Sequence, residues 1–360
     1  VKNLSKAAHN IEGQPMFKLF AHVLDLERQG KNIIHFEIGD PDFDTPKNIV
    51  DACCRSLEEG ATHYTTSSGL EEFREASARV TFKSRGFKPD INQILVTPGG
   101  NVQIYYAIAC TVNPGEEVII IDPSFVSYNS IINFLGVKAI KVPLYEENEF
   151  RLNPDDVEKF ISDKTRMIII NSPHNPTGSV MTEDEMRRIF EISEKHDLYL
   201  LSDEVYDRLI FSNNEIPTLL NYPDLYDRLI VLNGWSKTYA MTGWRLGWSV
   251  WPEKLVEHVF KFCVNSHSCV NTPAQYGGIA ALEGSEDHLN DMMEEFTIRR
   301  QLIFDGLKSL KGIKCSIPKG SFFVFPNVKE TGMNGEEFTE KCLREAGVAM
   351  IPGNAFGKFA

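Results

Sequence analysis

Short apolar runs alternate with amphipathic stretches through the middle of the chain, from about Gln93 to Trp251. The runs have the length of buried strands, and helices are predicted to begin at Asn101 and at Glu183. Because strands alternate with helices, the pattern predicts an α/β fold with a largely parallel sheet. The six runs are QILVT, EEVIII, VKAIKV, RMIII, LYLLS and RLIVLN.

The last third of the chain has a different pattern. A long charged helical stretch over 286–311 is followed by the short segments KCSIP and SFFVF and by a helix over 335–346. This order indicates a smaller α+β domain. The chain has no repeat and no long linker, so the placement of motifs sets the boundaries. We predict a large domain at 48–270 and a small domain formed by 1–47 and 271–360.

Size and charge exclude several classes of protein. The chain has 360 residues, which is long for one ordinary domain, and its net charge is −13 with no basic block. An acidic chain of this kind argues against binding to nucleic acid or to an anionic membrane. No apolar stretch approaches the length of a membrane span or a secretory signal, so we expect a cytoplasmic protein. The seven cysteines lack metal-site spacing, and no metal is expected.

Candidate chemistry lies where the predicted strands end, because the ligands of such sheets gather there. Lys237 follows RLIVLN in the segment GWSKTYAMTGWRLGW, and Arg245 comes eight residues later. A lysine that is partly desolvated near another cation has a lowered pKa and can attack an aldehyde. Most lysines are solvated surface groups, but the flanks of Lys237 are aromatic and small. Lys237 is therefore a candidate nucleophile.

Two neighbouring strand ends carry polar groups that suit a pyridine ring. Asp203 follows LYLLS in DEVYD, where it could pair with a protonated ring nitrogen while Tyr206 reaches a ring hydroxyl. Asn175 follows RMIII in NSPHNPTG, and its amide can donate to a phenolate oxygen. Taken alone, Asp203 also fits a turn cap and NSPHNPTG an ordinary turn.

A glycine-rich segment and an aromatic residue add a second group of candidates. Gly99, Gly100 and Asn101 in PGGN lie at the start of a predicted helix, where free amides and the helix dipole favour a phosphate. The segment is not GxGxxG, which weakens a dinucleotide interpretation. Phe125 in DPSFVSY could stack on a planar cofactor, although a core phenylalanine explains it equally well.

Three segments together carry a resemblance to a known family. NSPHNPTG, SDEVYD and SKTYAMTGWRLGW, in this order and at these intervals, resemble the class I/II aminotransferases of pyridoxal-phosphate fold type I, most closely their aspartate aminotransferase branch. The resemblance covers nearly the whole chain, from IGDPDFDTP to IPGNAFG. It implies a large domain with a mostly parallel seven-stranded sheet between helices, plus a smaller α+β domain.

The family's activity is the next implication. It is the reversible transfer of an amino group from an L-amino acid, aspartate or a similar one, to a 2-oxo acid such as 2-oxoglutarate, with pyridoxal 5'-phosphate as cofactor. Lys237 would hold the cofactor as a Schiff base and move the proton. The other cofactor contacts would be Gly99, Gly100, Asn101 and Arg245 at the phosphate, Asp203 at the ring nitrogen, Asn175 and Tyr206 at the ring oxygen, and Phe125 on the ring face.

The resemblance also assigns residues to the substrate and to a second subunit. Gly39 in IGDPDF matches a glycine whose backbone meets the substrate, and Asn175 would lie beside it. Tyr64 in HYTTSSGL matches a tyrosine that reaches the cofactor phosphate of a neighbouring subunit. A homodimer with shared active sites is therefore implied.

Three positions depart from the family pattern. Gly234 stands where many relatives have a phosphate-binding serine, so other phosphate contacts must contribute more. The arginine that pairs with the substrate α-carboxylate follows PGNAFG in the family, so we expect it beyond Ala360 and expect the sequence to be cut short. Asn101 stands where some aspartate-specific relatives have a lysine, which leaves the preferred amino acid open.

Two alternative functions share these motifs. Carbon–sulfur lyases and related eliminating enzymes of this fold use the same lysine and aspartate, and cofactor motifs do not separate them from transferases. A regulatory module fused to a DNA-binding domain is the other alternative. We do not expect it, because the chain shows no basic extension before the fold.

Overall fold

The structure, a computed structural model, describes residues 3–211, 217–222 and 226–360. The strands are β1 (Ile34–His35), β2 (Ile94–Thr97), β3 (Glu117–Asp122), β4 (Lys138–Pro143), β5 (Thr165–Asn171), β6 (Tyr199–Asp203), β7 (Leu229–Gly234), β8 (Gly247–Val250) and β9 (Val348–Ala349). The helices are α1 (Lys6–Asn10), α2 (Pro15–Arg28), α3 (Lys47–Glu58), α4 (Glu71–Arg85), α5 (Asn101–Thr111), α6 (Val126–Phe134), α7 (Pro154–Lys159), α8 (Glu183–Lys195), α9 (Trp235–Thr238), α10 (Glu253–Ser266), α11 (Thr272–Glu283), α12 (Asp287–Ser309) and α13 (Gly335–Ala346). None of the helices in these ranges is both long enough and apolar enough to cross a bilayer.

A seven-stranded sheet forms the centre of the molecule, with the order β2-β8-β7-β6-β5-β3-β4. Its strands run parallel except β8, which is antiparallel to both β2 and β7. The predicted parallel sheet of seven strands is therefore confirmed, and each of the six apolar runs is one of its strands. The seventh strand, β8, was not identified from the pattern because its four residues, GWSV, lie in a glycine- and tryptophan-rich segment without a long apolar run.

Both faces of this sheet are buried, which explains why its strands appear as continuous apolar runs. On β5, Ile168 and Ile170 join one core, whereas Met167 and Ile169 join the other. Helices α4, α8 and α11 contribute side chains to the first core, and helices α5, α6 and α10 contribute to the second. Packing on both faces therefore fixes the positions of the parallel strands, and their carboxyl ends lie along one edge of the sheet.

The beginning and end of the chain meet in a second, two-stranded sheet. Strand β1 pairs in parallel with β9, beside a small core of Val23, Ile33 and Ala349. Neither KCSIP nor SFFVF forms a regular strand: an isolated bridge joins Lys314 of KCSIP to Asn327, and another joins Gly320, directly before SFFVF, to Ile210. This packing is compatible with the predicted grouping of 1–47 with the C-terminal part, and the domain boundaries stay a prediction.

Three neighbouring strands of the large sheet deliver polar residues to one edge. Strands β5, β6 and β7 end at Asn171, Asp203 and Gly234, and Asn171 lies in register with Asp203. In a parallel sheet these carboxyl ends face the same side, where ligands bind. A cleft of about 1910 Å³ opens there, between the sheet edge and the segments that follow β1 and surround α12.

Candidate active site

The cleft collects most of the residues that the sequence singles out. Nine of the eleven predicted site residues line it: Gly39, Gly100, Asn101, Phe125, Asn175, Asp203, Tyr206, Lys237 and Arg245. Gly99 lies behind Arg245, close enough that a Cβ atom there would overlap the guanidinium group. Tyr64 lies away from the cleft, with 85% of its surface exposed.

Lys237 enters the cleft from the short helix α9, which begins directly after β7. Its Nζ donates a hydrogen bond to the Gly39 carbonyl at 2.5 Å and lies 5.8 Å from the centre of the Phe322 ring. Burial lowers the pKa of Lys237 to about 8, against the negative charge of Asp40 and with help from the positive charge of Arg245. Within the described ranges, no carboxylate forms an ion pair with this amine. It is therefore a buried amine that can act as a nucleophile near neutral pH.

Asp203 presents the opposite charge at the end of β6. Its carboxylate is buried, with Oδ2 accepting from the Tyr128 hydroxyl at 2.5 Å and Oδ1 from the Val205 amide at 3.2 Å. Burial raises the pKa of Asp203 to about 6, so the group is ionised above that pH. In the part of the chain that the structure describes, it has no cationic partner. A buried carboxylate of this kind favours a ligand that brings a positive charge.

Asn175 and Tyr206 lie together beside this carboxylate. The Asn175 side-chain amide donates to the Tyr206 hydroxyl at 3.4 Å, and burial raises the pKa of Tyr206, so the phenol stays protonated. Asn175 is held in place by Asn171, which accepts from its backbone amide at 2.8 Å and donates to the Asp203 carbonyl at 3.0 Å. The buried Asn175 Oδ1 has no hydrogen-bond partner within the described ranges and can accept from a ligand donor. The Tyr206 hydroxyl and the second N–H of the Asn175 amide can donate to a ligand oxygen.

The start of helix α5, together with Arg245, has the features of an anion-binding site. Helix α5 begins at Asn101 with no side chain capping its first amides, and Gly99 adopts a left-handed conformation with φ of +85°. Arg245 also has a positive φ, of 55°, and its guanidinium donates to the Thr242 carbonyl at 2.8 Å. Free helix amides beside an arginine suit a phosphate.

Two site residues were not predicted from the sequence. Tyr128 follows Phe125 by three residues on α6, and their rings meet edge to face with centres 5.6 Å apart. Asn171 is the last residue of β5 and could have been found by extending the apolar run RMIII by one position. Tyr128 had no comparable signal, because its partner Asp203 lies 75 residues away in the chain.

The arrangement fits one planar ligand with three kinds of group. A buried amine at Lys237 suits an aldehyde, a buried carboxylate at Asp203 suits a ring cation, and the start of α5 with Arg245 suits a phosphate. Phe125, which is half-buried at the cleft wall, offers an aromatic face. Pyridoxal phosphate carries all three groups, and the residues present fit it.

Known aminotransferases are similar to this chain in sequence and in structure. Residues 31–358 match the family model described as aminotransferase class I and II. The aromatic-amino-acid aminotransferase 2 of Thermococcus litoralis is 40% identical over 358 residues, which cover 99% of this chain and 91% of that protein. The aspartate aminotransferase of Pyrococcus abyssi is 40% identical over 93% of this chain and 87% of its own. The structure of aspartate aminotransferase from Thermus thermophilus with maleate superposes with a TM-score of 0.94 at 30% identity, covering 99% of this chain and 93% of that one.

Proposed function

This chain belongs to the class I and II aminotransferases and is an enzyme of amino-group transfer, and from that premise we propose how it works. It uses pyridoxal 5'-phosphate attached to Lys237, and it moves the amino group of an L-amino acid, aspartate or a similar one, to a 2-oxo acid such as 2-oxoglutarate. One observation carries the proposal: a buried amine and a buried carboxylate, each without an ionic partner in the described ranges, open into the same cleft. The relatives are named as aminotransferases, and this favours amino-group transfer over the carbon–sulfur lyase alternative.

Different residues around the cleft would bind different parts of the cofactor. When bound, pyridoxal phosphate supplies an aldehyde for the amine and a ring that accepts electrons from the substrate Cα. Asp203, ionised above about pH 6, holds the proton on the ring nitrogen, and Tyr128 keeps its carboxylate in place. Asn175 and Tyr206 donate to the ring oxygen. The remaining contacts, at the phosphate and the ring face, are those of Gly99, Gly100, Asn101, Arg245 and Phe125.

Lys237 would have a second task, as a proton carrier. When its Nζ is free, it would accept the proton from the substrate Cα as a general base and then return a proton as a general acid. A pKa of about 8 suits both steps near neutral pH. The contact between Nζ and the Gly39 carbonyl supports this role, because it shows that the amine reaches the segment assigned to the substrate.

Tyr64 supports a homodimer with shared active sites. Its side chain is 85% exposed and lies away from the cleft of its own chain, as expected for a residue that acts in the site of a partner. Sedimentation velocity of the purified protein tests this directly. A species of twice the 40.7 kDa chain mass is expected, and a monomer at every concentration would contradict the shared site.

A second candidate substrate class is an aromatic amino acid. A relative that is 40% identical over nearly the whole chain is named for aromatic amino acids. The cleft beside Lys237 is also rich in aromatic rings: Phe322 and Phe323 lie with ring centres 4.8 Å apart, and Tyr206 meets both edge to face. Such a lining suits an aromatic side chain better than a second carboxylate.

Steady-state assays with a panel of donors test these assignments together. Aspartate, phenylalanine, tyrosine and cysteine are each supplied with 2-oxoglutarate, and glutamate formation is measured beside ammonia and pyruvate release. Glutamate that depends on 2-oxoglutarate is the expected product. A higher kcat/KM for phenylalanine than for aspartate selects the aromatic class. Pyruvate and ammonia from cysteine as the dominant products would overturn amino-group transfer as the main reaction.

A further inference from the structure

A buried ion cluster lies behind the cleft, outside the site described above. Arg85 is the last residue of α4, and only 4% of its side chain is exposed. Its guanidinium donates to Glu204 Oε2 from Nε at 2.9 Å and from Nη2 at 2.5 Å, and Nη2 also donates to Asp207 Oδ2 at 2.6 Å. The side chains of Glu204 and Asp207 are 3% and 7% exposed. One arginine thus bridges two desolvated carboxylates.

These two carboxylates directly follow the residues that face the cofactor. Glu204 is next to Asp203, and Asp207 is next to Tyr206, so the turn that presents both site residues is bonded to Arg85 at two points. The second oxygen of Glu204 accepts from the Thr218 hydroxyl at 2.8 Å, which leaves this side chain little freedom. A shift of the arginine would therefore move the turn.

The cluster extends to the segment that carries the lysine. The Asn233 side-chain amide donates to Asp207 Oδ2 at 3.0 Å, and its oxygen accepts from the Gly234 amide at 2.7 Å. Lys237 follows Gly234 by three residues, across the first turn of α9. A continuous set of buried hydrogen bonds therefore joins the Asp203 turn to the Lys237 turn from behind.

The placement of Arg85 differs from that of an ordinary ion pair on the same helix. Arg79 of α4 bonds to Glu75 and Glu283, but the three side chains are 47% to 52% exposed. Exposed pairs of this kind contribute little, whereas removing one member of a buried pair leaves charges without a partner. In the cluster, those charges would be two carboxylates, one within the turn from Asp203 to Tyr206 and one directly after it.

We propose that Arg85 is a positioning residue for the cofactor site, which fixes Asp203 and Lys237 relative to each other through Glu204, Asp207 and Asn233. The inference rests on the proposed function, in which those two groups hold opposite ends of one rigid cofactor. Arg85 itself touches neither cofactor nor substrate. Its effect is on the distance and orientation between two groups that must act together.

The test compares Arg85→Met and Arg85→Lys with Arg79→Met, the matched change on the same helix. Circular dichroism first identifies a temperature at which each variant is folded. Cofactor affinity is then measured by absorbance titration of the cofactor-free protein, and kcat and KM are measured at saturating cofactor. We expect Arg85→Met to bind the cofactor about tenfold more weakly and to lose about 10- to 100-fold in kcat, with little change in KM for the amino donor. Arg85→Lys should recover part of both losses, and Arg79→Met should behave as the wild type.

Asn233→Ala provides a second variant if Arg85→Met does not fold, because it cuts the link to the lysine segment without leaving a charge unpaired. Cofactor affinity and kcat should both fall in this variant too, but by less than in Arg85→Met. Variants that melt earlier but bind and turn over like the wild type overturn the inference, because they assign the cluster to stability alone. If the wild type gains no cofactor mass on Lys237 after borohydride reduction, the proposed function fails first, and the inference with it.

Discussion

The two walls of the cleft are built in different ways. On the wall formed by the sheet edge, the contacts are buried: Tyr128 donates to Asp203, and Asn171 holds Asn175 in place. These groups sit at the ends of strands whose two faces are both packed. Their hydrogen bonds set the positions of these groups before a ligand arrives. Such preorganised groups make large contributions to catalysis.

The opposite wall, formed by the segment that follows β1 and by α12, has exposed contacts in addition to the hydrogen bond from Lys237 to Gly39. Thr242 donates to Asp40 at 2.8 Å, and Arg299 of α12 pairs with Asp42 at 2.7 Å, with 44% and 63% of these two side chains exposed. Contacts of this kind open at small cost. With the proposed function, this comparison predicts that the cofactor would be held on the more rigid wall and that the substrate would enter past the more loosely attached one. Substitutions on the two walls should therefore differ greatly in effect.

The largest effect is expected at Lys237. Replacement by alanine removes both the cofactor attachment and the proton carrier, so kcat/KM should fall by about 10⁴-fold or more. Absorbance of the purified protein and its mass after borohydride reduction report the lost attachment. Lys261→Ala is the control, since Lys261 is 60% exposed and pairs with Glu257 on its own helix. A Lys237→Ala protein that kept a tenth of wild-type turnover would show that the buried amine is not the reacting group.

Asp203 should give the next largest effect. In Asp203→Asn the shape is kept and Tyr128 still has an oxygen to bond, but the negative charge is lost. Activity should fall about 10²- to 10³-fold, as expected when one preorganised electrostatic contact to a reacting group is removed. Steady-state rates at saturating cofactor measure this. Asp197→Asn is the matched control, because Asp197 is 96% exposed. Equal activity in both variants would place Asp203 outside the chemistry.

The pH dependence of Lys237 gives a third, smaller effect. Because burial lowers its pKa to about 8, the amine is protonated at low pH and becomes neutral as pH rises through that value. Between pH 8 and pH 6 its neutral fraction falls about 50-fold, and its reaction with an aldehyde should slow in proportion. Capture of a small neutral aldehyde by the cofactor-free protein, trapped with cyanoborohydride and read by peptide mass, measures this. A rate at Lys237 that still rises more than about fivefold between pH 9 and pH 10, as an ordinary lysine would show, would contradict a lowered pKa.

The wall formed by the sheet edge is also the part of the candidate site that can be predicted from the sequence. Asn175, Asp203 and Lys237 were predicted because each follows an apolar run, and parallel strands bring such ends to one edge. Tyr128 and Arg85 escaped prediction, since their partners lie 75 and 119 residues away in the chain. Arg85, in FKSRGFK, resembles the basic end of a surface helix, and only the folded chain shows it to be buried.

The fold, like the site, has parts that the sequence predicts and parts that it does not. Runs buried on both faces identified five strands, because continuous burial leaves a local signal, whereas the sixth, the edge strand β4, is only partly buried. The β1 and β9 pair has two residues per strand, and its partners come from opposite ends of the chain, so no local pattern marks it. The segment SFFVF has the composition of a strand, yet its rings pack around Tyr206 and the cleft instead. Contact with a site, and not hydrogen bonding in a sheet, accounts for its apolar character.

The smallest effect is expected on the loosely attached wall. Arg299→Ala removes the pair with Asp42, which holds the substrate-facing segment to α12. An exposed pair contributes about 1 kcal/mol at most, so KM for the amino donor should change less than about fivefold and kcat should stay constant. Asp42→Asn removes the same pair but keeps the contacts of Arg299 with Glu295 and Phe43, so its effect should be no larger. The double variant should be no worse than Arg299→Ala. A fall in kcat beyond about tenfold would show that this wall is held as firmly as the sheet edge, and the contrast between the two walls would no longer hold.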